Sequence, residues 1–213
     1  MDPRIADVLD KMEARSATEQ ALLEELRARG VDQVREAAPR LMLDVGRDTG
    51  LFLNLIARTQ RARRIVEVGG SVGYSTIWLA DAVRASGGGV VISLEVDAEK
   101  IREQRSYLEA AGVVAEVEQI CGDAAKVLPE LDGPFDLVLL DHWKDLYVRE
   151  FDLVWPKMRV GGVVLADNVL IPKAVAEEMR AYTAHVRSKP DARSLTVPVG
   201  MGVEMTCRTS PAS

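Results

Sequence analysis

Oxygen-bearing side chains follow two separate runs of apolar residues in this chain. Asp141 comes directly after the run at 137–140, and Asp167 and Asn168 come directly after the run that ends at residue 166. If the runs are neighbouring parallel strands, their ends lie about 5 Å apart and the three side chains can converge. Two carboxylates and one amide form an all-oxygen ligand set, which favours Mg²⁺ over Zn²⁺. Taken singly, each aspartate is equally well explained as a helix cap.

Lys144 follows Asp141 by three residues, at the predicted start of a helix. A cation is unfavourable at that end of the helix dipole, although a surface lysine there would not be unusual. Beside a divalent cation, the pKa of the amine should fall from its ordinary value of about 10.4. The position therefore predicts a proton acceptor, that is, a general base at residue 144.

A glycine turn lies where the first predicted strand meets its helix, which is where open α/β sheets bind ligands. The dinucleotide pattern G-x-G-x-x-G requires glycine at position 68, but that residue is valine, which disfavours an NAD-dependent oxidoreductase. The remaining pattern is Glu67, Gly69 and Gly73. The glycines allow close approach of a ligand to the backbone, and Glu67 suits a cationic nucleoside better than a pyrophosphate. A turn that merely joins strand to helix explains the glycines equally well.

Glu95 ends the second predicted strand, where an acid can accept hydrogen bonds from both hydroxyls of a ribose. Asp97 already supplies the N-cap of the following helix, which favours the ribose role for Glu95. Asp123 and Ala124 follow the third strand and could border a purine, but Asp123 could equally be a plain N-cap.

These residues belong to an alternation of strands and helices that predicts a parallel sheet. Residues 4–29 predict two amphipathic helices, the second starting at a capping box at residues 16–19 and ending at Gly30. A further helix is predicted from about residue 49. Strands are predicted near 65–68, 90–95, 114–119, 136–140 and 162–166. Helices are predicted near 73–84, 98–111, 123–131, 145–158 and 172–187. Segments 194–197 and 203–206 predict an antiparallel hairpin.

The 213 residues indicate one domain, with a helical cap at 1–60 and an α/β core at 61–213. The net charge of −6 makes nucleic acid a poor partner. Cys121 and Cys207 are far apart, which excludes a disulfide framework, and we interpret both as buried small apolar groups. The chain begins without an apolar leader pattern and contains no run long enough to span a membrane, so we predict a cytoplasmic protein.

The glycine turn, Glu95, the segment 122–124 and the closing hairpin together resemble the S-adenosylmethionine-dependent methyltransferases with a Rossmann-like fold. The resemblance spans about residues 40–207. It implies an α/β three-layer sandwich whose mostly parallel seven-stranded sheet ends in an antiparallel hairpin, preceded here by the N-terminal helices. It also implies S-adenosylmethionine as the methyl donor.

The string Asp141-His142-Trp143-Lys144-Asp145, with Leu165-Ala166-Asp167-Asn168-Val169, resembles the catechol O-methyltransferases more than the caffeoyl-CoA O-methyltransferases. The resemblance implies Mg²⁺ on Asp141, Asp167 and Asn168, with Lys144 as the general base. It implies a cofactor site formed by Val45, Glu67, Gly69, Ser71, Tyr74, Ser75, Glu95, Val96, Asp123, Ala124, Asp141, His142 and Trp143. It implies a substrate site formed by Leu41, Trp143, Lys144, Asn168 and Pro172.

Two departures from the family pattern concern the substrate. Segment 194–197 contains no glutamate to orient the second catechol hydroxyl, and the tryptophan gatekeeper is replaced by Leu41 or Met42. We expect a differently shaped aromatic slot. Without the resemblance, His142 would be a structural residue and Trp143 a packing aromatic.

The predicted reaction is Mg²⁺-dependent methyl transfer from S-adenosylmethionine to one hydroxyl of a small catechol. One alternative is methylation of a hydroxylated tRNA base, which the negative charge disfavours. Another is a non-catalytic cofactor-binding module whose N-terminal helices pair with a partner. The same helices could form a homodimer.

Overall fold

The computed structural model describes residues 1–170 and 176–211. Within them the chain forms a seven-stranded sheet with the order β3-β2-β1-β4-β5-β7-β6. The strands are β1 (Arg64–Val68), β2 (Val90–Glu95), β3 (Val117–Cys121), β4 (Phe135–Leu140), β5 (Met158–Ala166), β6 (Ala192–Val197) and β7 (Val203–Arg208). The helices are α1 (Pro3–Arg29), α2 (Val31–Ala37), α3 (Arg47–Thr59), α4 (Tyr74–Ala85), α5 (Ala98–Ala111), α6 (Ala124–Val127), α7 (Tyr147–Val154) and α8 (Ala176–Ser188).

Strands β1 to β5 are parallel, whereas β7 pairs antiparallel with β5 and with β6. The chain moves outward from β1 to β3, then returns to place β4 on the other side of β1. This reversal opens a crevice at the carboxyl ends of β1 and β4, the usual ligand position in such sheets. The Rossmann-like α/β fold with an antiparallel C-terminal hairpin is confirmed.

Alternate residues of each central strand enter opposite layers of the core, as the two-residue period of a strand requires. Ile65 and Leu139 pack with α1, α3, α4 and α5, whereas Val66 and Val138 pack with α7 and α8. Because both faces are covered, the strands are apolar at almost every position. The ends of these strands are therefore held by a close-packed core on both sides.

The N-terminal segment forms one continuous helix, so the prediction of two helices is wrong. Ser16, the N-cap of the predicted capping box, donates its hydroxyl hydrogen bond to Asp44, whereas a cap would accept one from a backbone N–H. Arg15 forms an ion pair with Glu19 at 2.8 Å, one helical turn away, which supports the helix across the expected break. Gly30 ends α1 as predicted.

Several other predicted elements are shorter or shifted. Residues 114–116 form a 3₁₀ turn before β3, and the helix predicted at 123–131 is α6 followed by another such turn. The helix predicted at 145–158 is reduced to α7 between two 3₁₀ turns, because Pro156 prevents its continuation. Cys121 is exposed because it ends edge strand β3, and Cys207 is partly buried, so neither is the fully buried group that was predicted.

Apolar residues of the first half of α1 join the same core layer as α4 and α5, so the N-terminal helices are packed on the sheet domain. None of the helices in the described part of the chain has the length and apolar character needed to cross a membrane.

Replacing a buried residue of β4 tests the packing that holds the strand ends. Leu139 is fully buried between β1 and β5. We expect Leu139→Ala to lower the free energy of unfolding by about 2–5 kcal/mol, because a cavity replaces the side chain. The measurement is equilibrium denaturation in urea. Val160→Ala is the control on β5, where the side chain is 49% exposed, and it should cost less than about 1 kcal/mol. Equal losses would contradict this account of the core.

Candidate active site

The ends of β1, β4 and β5 are in register. Leu140 lies beside Val68 on one side and Ala166 on the other. Asp141 donates its backbone N–H to the carbonyl of Val68 at 2.9 Å, and Asp167 donates its own to the carbonyl of Leu140 at 3.0 Å. The two aspartates therefore follow neighbouring strands at matching positions, and the structure brings them to one edge of the sheet.

A cavity of about 740 Å³ lies at this edge, between the strand ends and the N-terminal helices α1 and α2. Predicted site residues from separate parts of the chain line it together. They are Val45, Gly69, Ser71, Glu95, Val96, Asp123, Ala124, Asp141, His142, Trp143, Lys144 and Asn168. Its size is in the range of small-molecule sites.

Five predicted residues within the described part of the chain do not line the cavity: Glu67, Ser75, Tyr74, Leu41 and the buried Asp167. Glu67 is fully buried beneath the glycine turn, where it accepts hydrogen bonds from Thr76 at 2.5 Å and Ser93 at 2.7 Å. Burial raises the pKa of its carboxyl group. Ser75 lies on the same buried side of the turn, 6% exposed. The placement of Glu67 beside a ligand is corrected accordingly: its contacts are with the strand and helix that carry the turn.

Tyr74 and Leu41 are also turned away from the cavity. Tyr74 donates its hydroxyl hydrogen bond to Glu13 of α1 at 2.5 Å, so it holds the N-terminal helix to α4. Leu41, in the segment that follows α2, is buried with 3% of its surface exposed. Leu43 and Val45 form the nearby cavity wall instead. The substrate role predicted for Pro172 lies outside the described residues.

The candidate metal ligands carry an unsatisfied oxygen. Asp167 is 1% exposed, and its Oδ1 atom has no hydrogen-bond partner among the described residues. Its Oδ2 atom accepts a hydrogen bond from Asn168 Nδ2 at 3.0 Å, which directs the amide of Asn168 towards the same edge. A buried carboxylate oxygen without a donor is costly unless a cation or a proton is supplied. The residues present therefore fit a hard cation such as Mg²⁺.

This ligand set contains two carboxylates and one amide. The described residues include no group of three or more histidines, cysteines, aspartates or glutamates placed to hold an ion. Asn168 adopts a left-handed backbone conformation, with φ of 62°, which an asparagine tolerates better than most residues. The conformation places Asn168 on the cavity wall directly after the buried Asp167.

Burial and like charge shift the titration of Asp167. Burial is the main cause, and the neighbouring carboxylate of Asp141 adds to it, so that the pKa of Asp167 is raised to about 7. Lys144 opposes this shift. In the absence of a cation, Asp167 therefore holds a proton at mildly acidic pH, where an exposed aspartate would have lost it.

Lys144 lies beside both aspartates with little access to water. Its Nζ atom is 3.4 Å from Asp141 Oδ1 and donates a hydrogen bond to the Tyr147 hydroxyl at 2.6 Å. The tyrosine in turn donates to the carbonyl of Asp167 at 3.2 Å. Burial lowers the pKa of the Lys144 amine, and the two aspartates oppose that shift. The amine is held in a fixed position at the cavity wall.

Two acidic side chains that were predicted to contact a nucleoside, Glu95 and Asp123, also line the cavity. Glu95 accepts hydrogen bonds from the backbone N–H of Ser71 at 2.9 Å and from those of Val96 and Asp97. Asp123 both caps α6, through the N–H of Ala125 at 3.0 Å, and lines the cavity. Asp123 can therefore be the N-cap of α6 and a residue of the ligand site at the same time.

His142 and Trp143 also line the cavity. The ring of His142 stacks on Tyr147 with centroids 5.1 Å apart, and its Nε2 atom lies against the buried carboxylate of Glu150. Trp143 has the guanidinium of Arg35 above its ring at 4.6 Å. Both aromatic side chains are oriented by groups from other elements.

Several residues that face the cavity were not predicted from the sequence. Lys100 is 6% exposed and donates a hydrogen bond to the Ser71 hydroxyl at 3.0 Å. Arg27 and Arg35 reach the cavity from α1 and α2, and Met201 from the turn between β6 and β7. Charged residues on amphipathic helices are usually solvated, so no signal in the sequence distinguished Arg27 and Arg35. Lys100, five residues after Glu95, could have been considered from the spacing.

A family model described as O-methyltransferase matches residues 13–204. The chain belongs to the O-methyltransferase family.

Individual relatives are similar over most of the core. A catechol O-methyltransferase of Mycobacterium tuberculosis is 38% identical over 63% of this chain and 61% of its own length. One of Niastella koreensis is 34% identical over 64% of this chain and 62% of its own length. The matched part of the chain thus spans about three fifths of these two relatives. The solved structure of an O-methyltransferase from Bacillus cereus in complex with SAH is 28% identical, covers 92% of this chain and 99% of that one, and superposes with a TM-score of 0.74.

The raised pKa of Asp167 makes the stability of the metal-free protein depend on pH. The folded state binds the proton more tightly than the unfolded state, whose carboxyl pKa is about 3.9. Stability contributed by this group is present at low pH and is lost as pH rises from about 4 to 7. We expect the free energy of unfolding of the wild type, minus that of Asp167→Asn, to fall by a few kcal/mol across this range.

The measurement is urea denaturation in chelator at a series of pH values. Asp132→Asn, an exposed aspartate outside the cavity, is the control and should show no such difference. A difference between wild type and Asp167→Asn that is constant with pH would contradict the assignment.

Proposed function

We propose that this chain transfers a methyl group from S-adenosylmethionine to one hydroxyl of a small catechol in a Mg²⁺-dependent reaction. The observation that carries the proposal is the meeting of Asp141, Asp167, Asn168 and Lys144 at one edge of the sheet, beside a cavity that also contains Glu95. The names of the catechol O-methyltransferase relatives support the choice of acceptor.

The cavity divides into a donor half and an acceptor half. Glu95 would accept hydrogen bonds from the ribose hydroxyls, Val96 and Ala124 would border the purine, and His142 with Trp143 would cover the adenine side. Gly69 has a positive φ, and a side chain there would collide with the backbone of Asp141, so the turn stays close to the strand ends. A ligand that rests on this turn is held next to the acceptor half.

Asp141, Asp167 and Asn168 would hold Mg²⁺, and the unpartnered Oδ1 of Asp167 fits that role. When bound, S-adenosylmethionine supplies an electrophilic methyl group, and Mg²⁺ makes the hydroxyls that contact it more acidic. Lys144 Nζ would accept the proton of the attacking hydroxyl, and its buried position favours the neutral amine that a base requires.

The wall residues contribute by excluding water and fixing the ring. Trp143, with Arg35 above it, would hold the flat acceptor so that its hydroxyl faces the donor half. Holding two reacting groups in contact can supply roughly 7–11 kcal/mol of a reaction barrier. No covalent intermediate with a side chain is needed.

The direct test is a methyl-transfer assay with radiolabelled S-adenosylmethionine, offering a panel of catechols or bulk RNA, with Mg²⁺ or with chelator. We expect label on a catechol hydroxyl only when Mg²⁺ is present, because the two carboxylates and the amide hold the ion. Asp141→Asn should lower the rate and weaken the response to Mg²⁺, whereas Asp132→Asn should not. Full activity in excess chelator, or label on RNA alone, would contradict the proposal.

Removing the amine tests its role as the base. We expect Lys144→Ala to lower kcat by about 10²–10⁴-fold, as for loss of a general base. The affinity for S-adenosylmethionine, measured by calorimetry, should change much less, because the amine faces the acceptor half. Lys126→Ala, which replaces an exposed lysine, is the control. If kcat of Lys144→Ala equalled that of the wild type, Lys144 would have no part in the chemistry.

A further inference from the structure

The wall of the acceptor half contains a cation that the proposed reaction does not use. Arg27 lies near the C-terminal end of α1 and lines the cavity. None of the carboxylates in the described residues lies within salt-bridge distance of its guanidinium, and no described residue accepts a hydrogen bond from it. Glu24 and Asp44 act on it only from farther away.

The neighbouring arginines behave differently. Arg29, two residues along the same helix, forms an ion pair with Glu25 at 3.6 Å. Arg35 forms one with Asp145 at 2.6 Å while its plane lies over Trp143. The positive charge of Arg35 is therefore compensated by a residue of the chain itself, and that of Arg27 is not.

One of the two acids that act on Arg27, Asp44, is already engaged. Asp44 accepts hydrogen bonds from the Ser16 hydroxyl and from the backbone N–H of Gly46 at 2.7 Å. It therefore stays in the turn before α3 and does not swing towards Arg27. A helix C-terminus favours a cation, which explains an arginine in this turn of the helix but not its position on the cavity wall without a partner.

Arg27 and Lys144 line the same cavity, Arg27 from α1 and Lys144 from the strand ends. An aromatic acceptor whose hydroxyl is at Lys144 would extend from the strand ends towards α1.

We infer that the acceptor is a catechol that carries a carboxylate, and that Arg27 binds this carboxylate. The inference rests on the proposed function and specifies its substrate class. A guanidinium presents paired N–H donors in a plane, which matches the two oxygens of a carboxylate. Asp32 and Glu178 also line the cavity, so the wall is not positive in general and the preference depends on this one side chain.

The experiment measures kcat/KM for acids and for their neutral counterparts. The acids are 3,4-dihydroxybenzoate and 3,4-dihydroxycinnamate, each compared with its methyl ester, and dopamine is the cationic comparison. We expect the wild type to have a higher kcat/KM for at least one of the two acids than for the methyl ester of that acid or for dopamine. We expect Arg27→Met to reduce the ratio of acid to ester by about tenfold, since it removes a hydrogen bond between charged groups. Arg27→Lys should restore part of the ratio because it keeps the charge.

Two controls separate this preference from a structural effect. Arg29→Met removes a paired arginine from the same end of α1 and should leave the ratio of acid to ester as in the wild type. Each variant should unfold at the wild-type temperature. The preference of the wild type should also weaken as salt is added, because Arg27 is exposed to solvent.

The outcomes distinguish the inference from the proposed function. Methylation of the neutral esters reports on the reaction itself, and the ratio of acid to ester reports on Arg27. If the kcat/KM of the wild type for the esters and for dopamine equals that for the acids, the inference is wrong and the proposed reaction stands. The same holds if Arg27→Met leaves the ratio of acid to ester unchanged. If no catechol is methylated with Mg²⁺ present, the proposed function is wrong and the inference is overturned with it.

Discussion

The site depends on two carboxylates being held together where water is largely excluded. Asp141 and Asp167 follow adjacent parallel strands in register, and the core on both faces of the sheet prevents the strands from separating. Burial, with a smaller contribution from the charge of Asp141, raises the pKa of Asp167. One oxygen of Asp167 has no hydrogen-bond partner among the described residues. A cation or a proton would relieve both costs, and both costs arise from the packing of the fold.

The same arrangement gives the neighbouring amine its character. Lys144 is brought to the edge by the turn that follows Asp141, and Tyr147 holds it there while contacting the carbonyl of Asp167. Burial favours the neutral amine, while the aspartates favour the charged one. Such a balance would suit the proton acceptor of the proposed reaction, and it requires all of these residues in their observed positions.

The N-terminal helices complete a site that the sheet alone would leave open. The first half of α1 is fixed to the core by apolar contacts and by the hydrogen bond between Glu13 and Tyr74. Its second half and α2 then cover the acceptor side of the cavity and carry Arg27 and Arg35 to it. Differences in these helices can therefore change the acceptor without altering the strand ends that carry the chemistry.

The sequence alone determined the fold class and most of the polar residues of the site. Strand periodicity placed Asp141, Asp167 and Glu95 at strand ends, and the parallel topology sends such ends to one edge of the sheet. Only the tertiary structure decided which side chains face the cavity. Glu67 and Tyr74 belong to the glycine segment, yet their contacts are with Thr76 and α1, because the direction of a side chain in a turn depends on its neighbours in space. Arg27 and Lys100 line the cavity because the packing of α1 and α5 on the core sets the orientation of their side chains. A helical pattern of charges does not reveal that orientation.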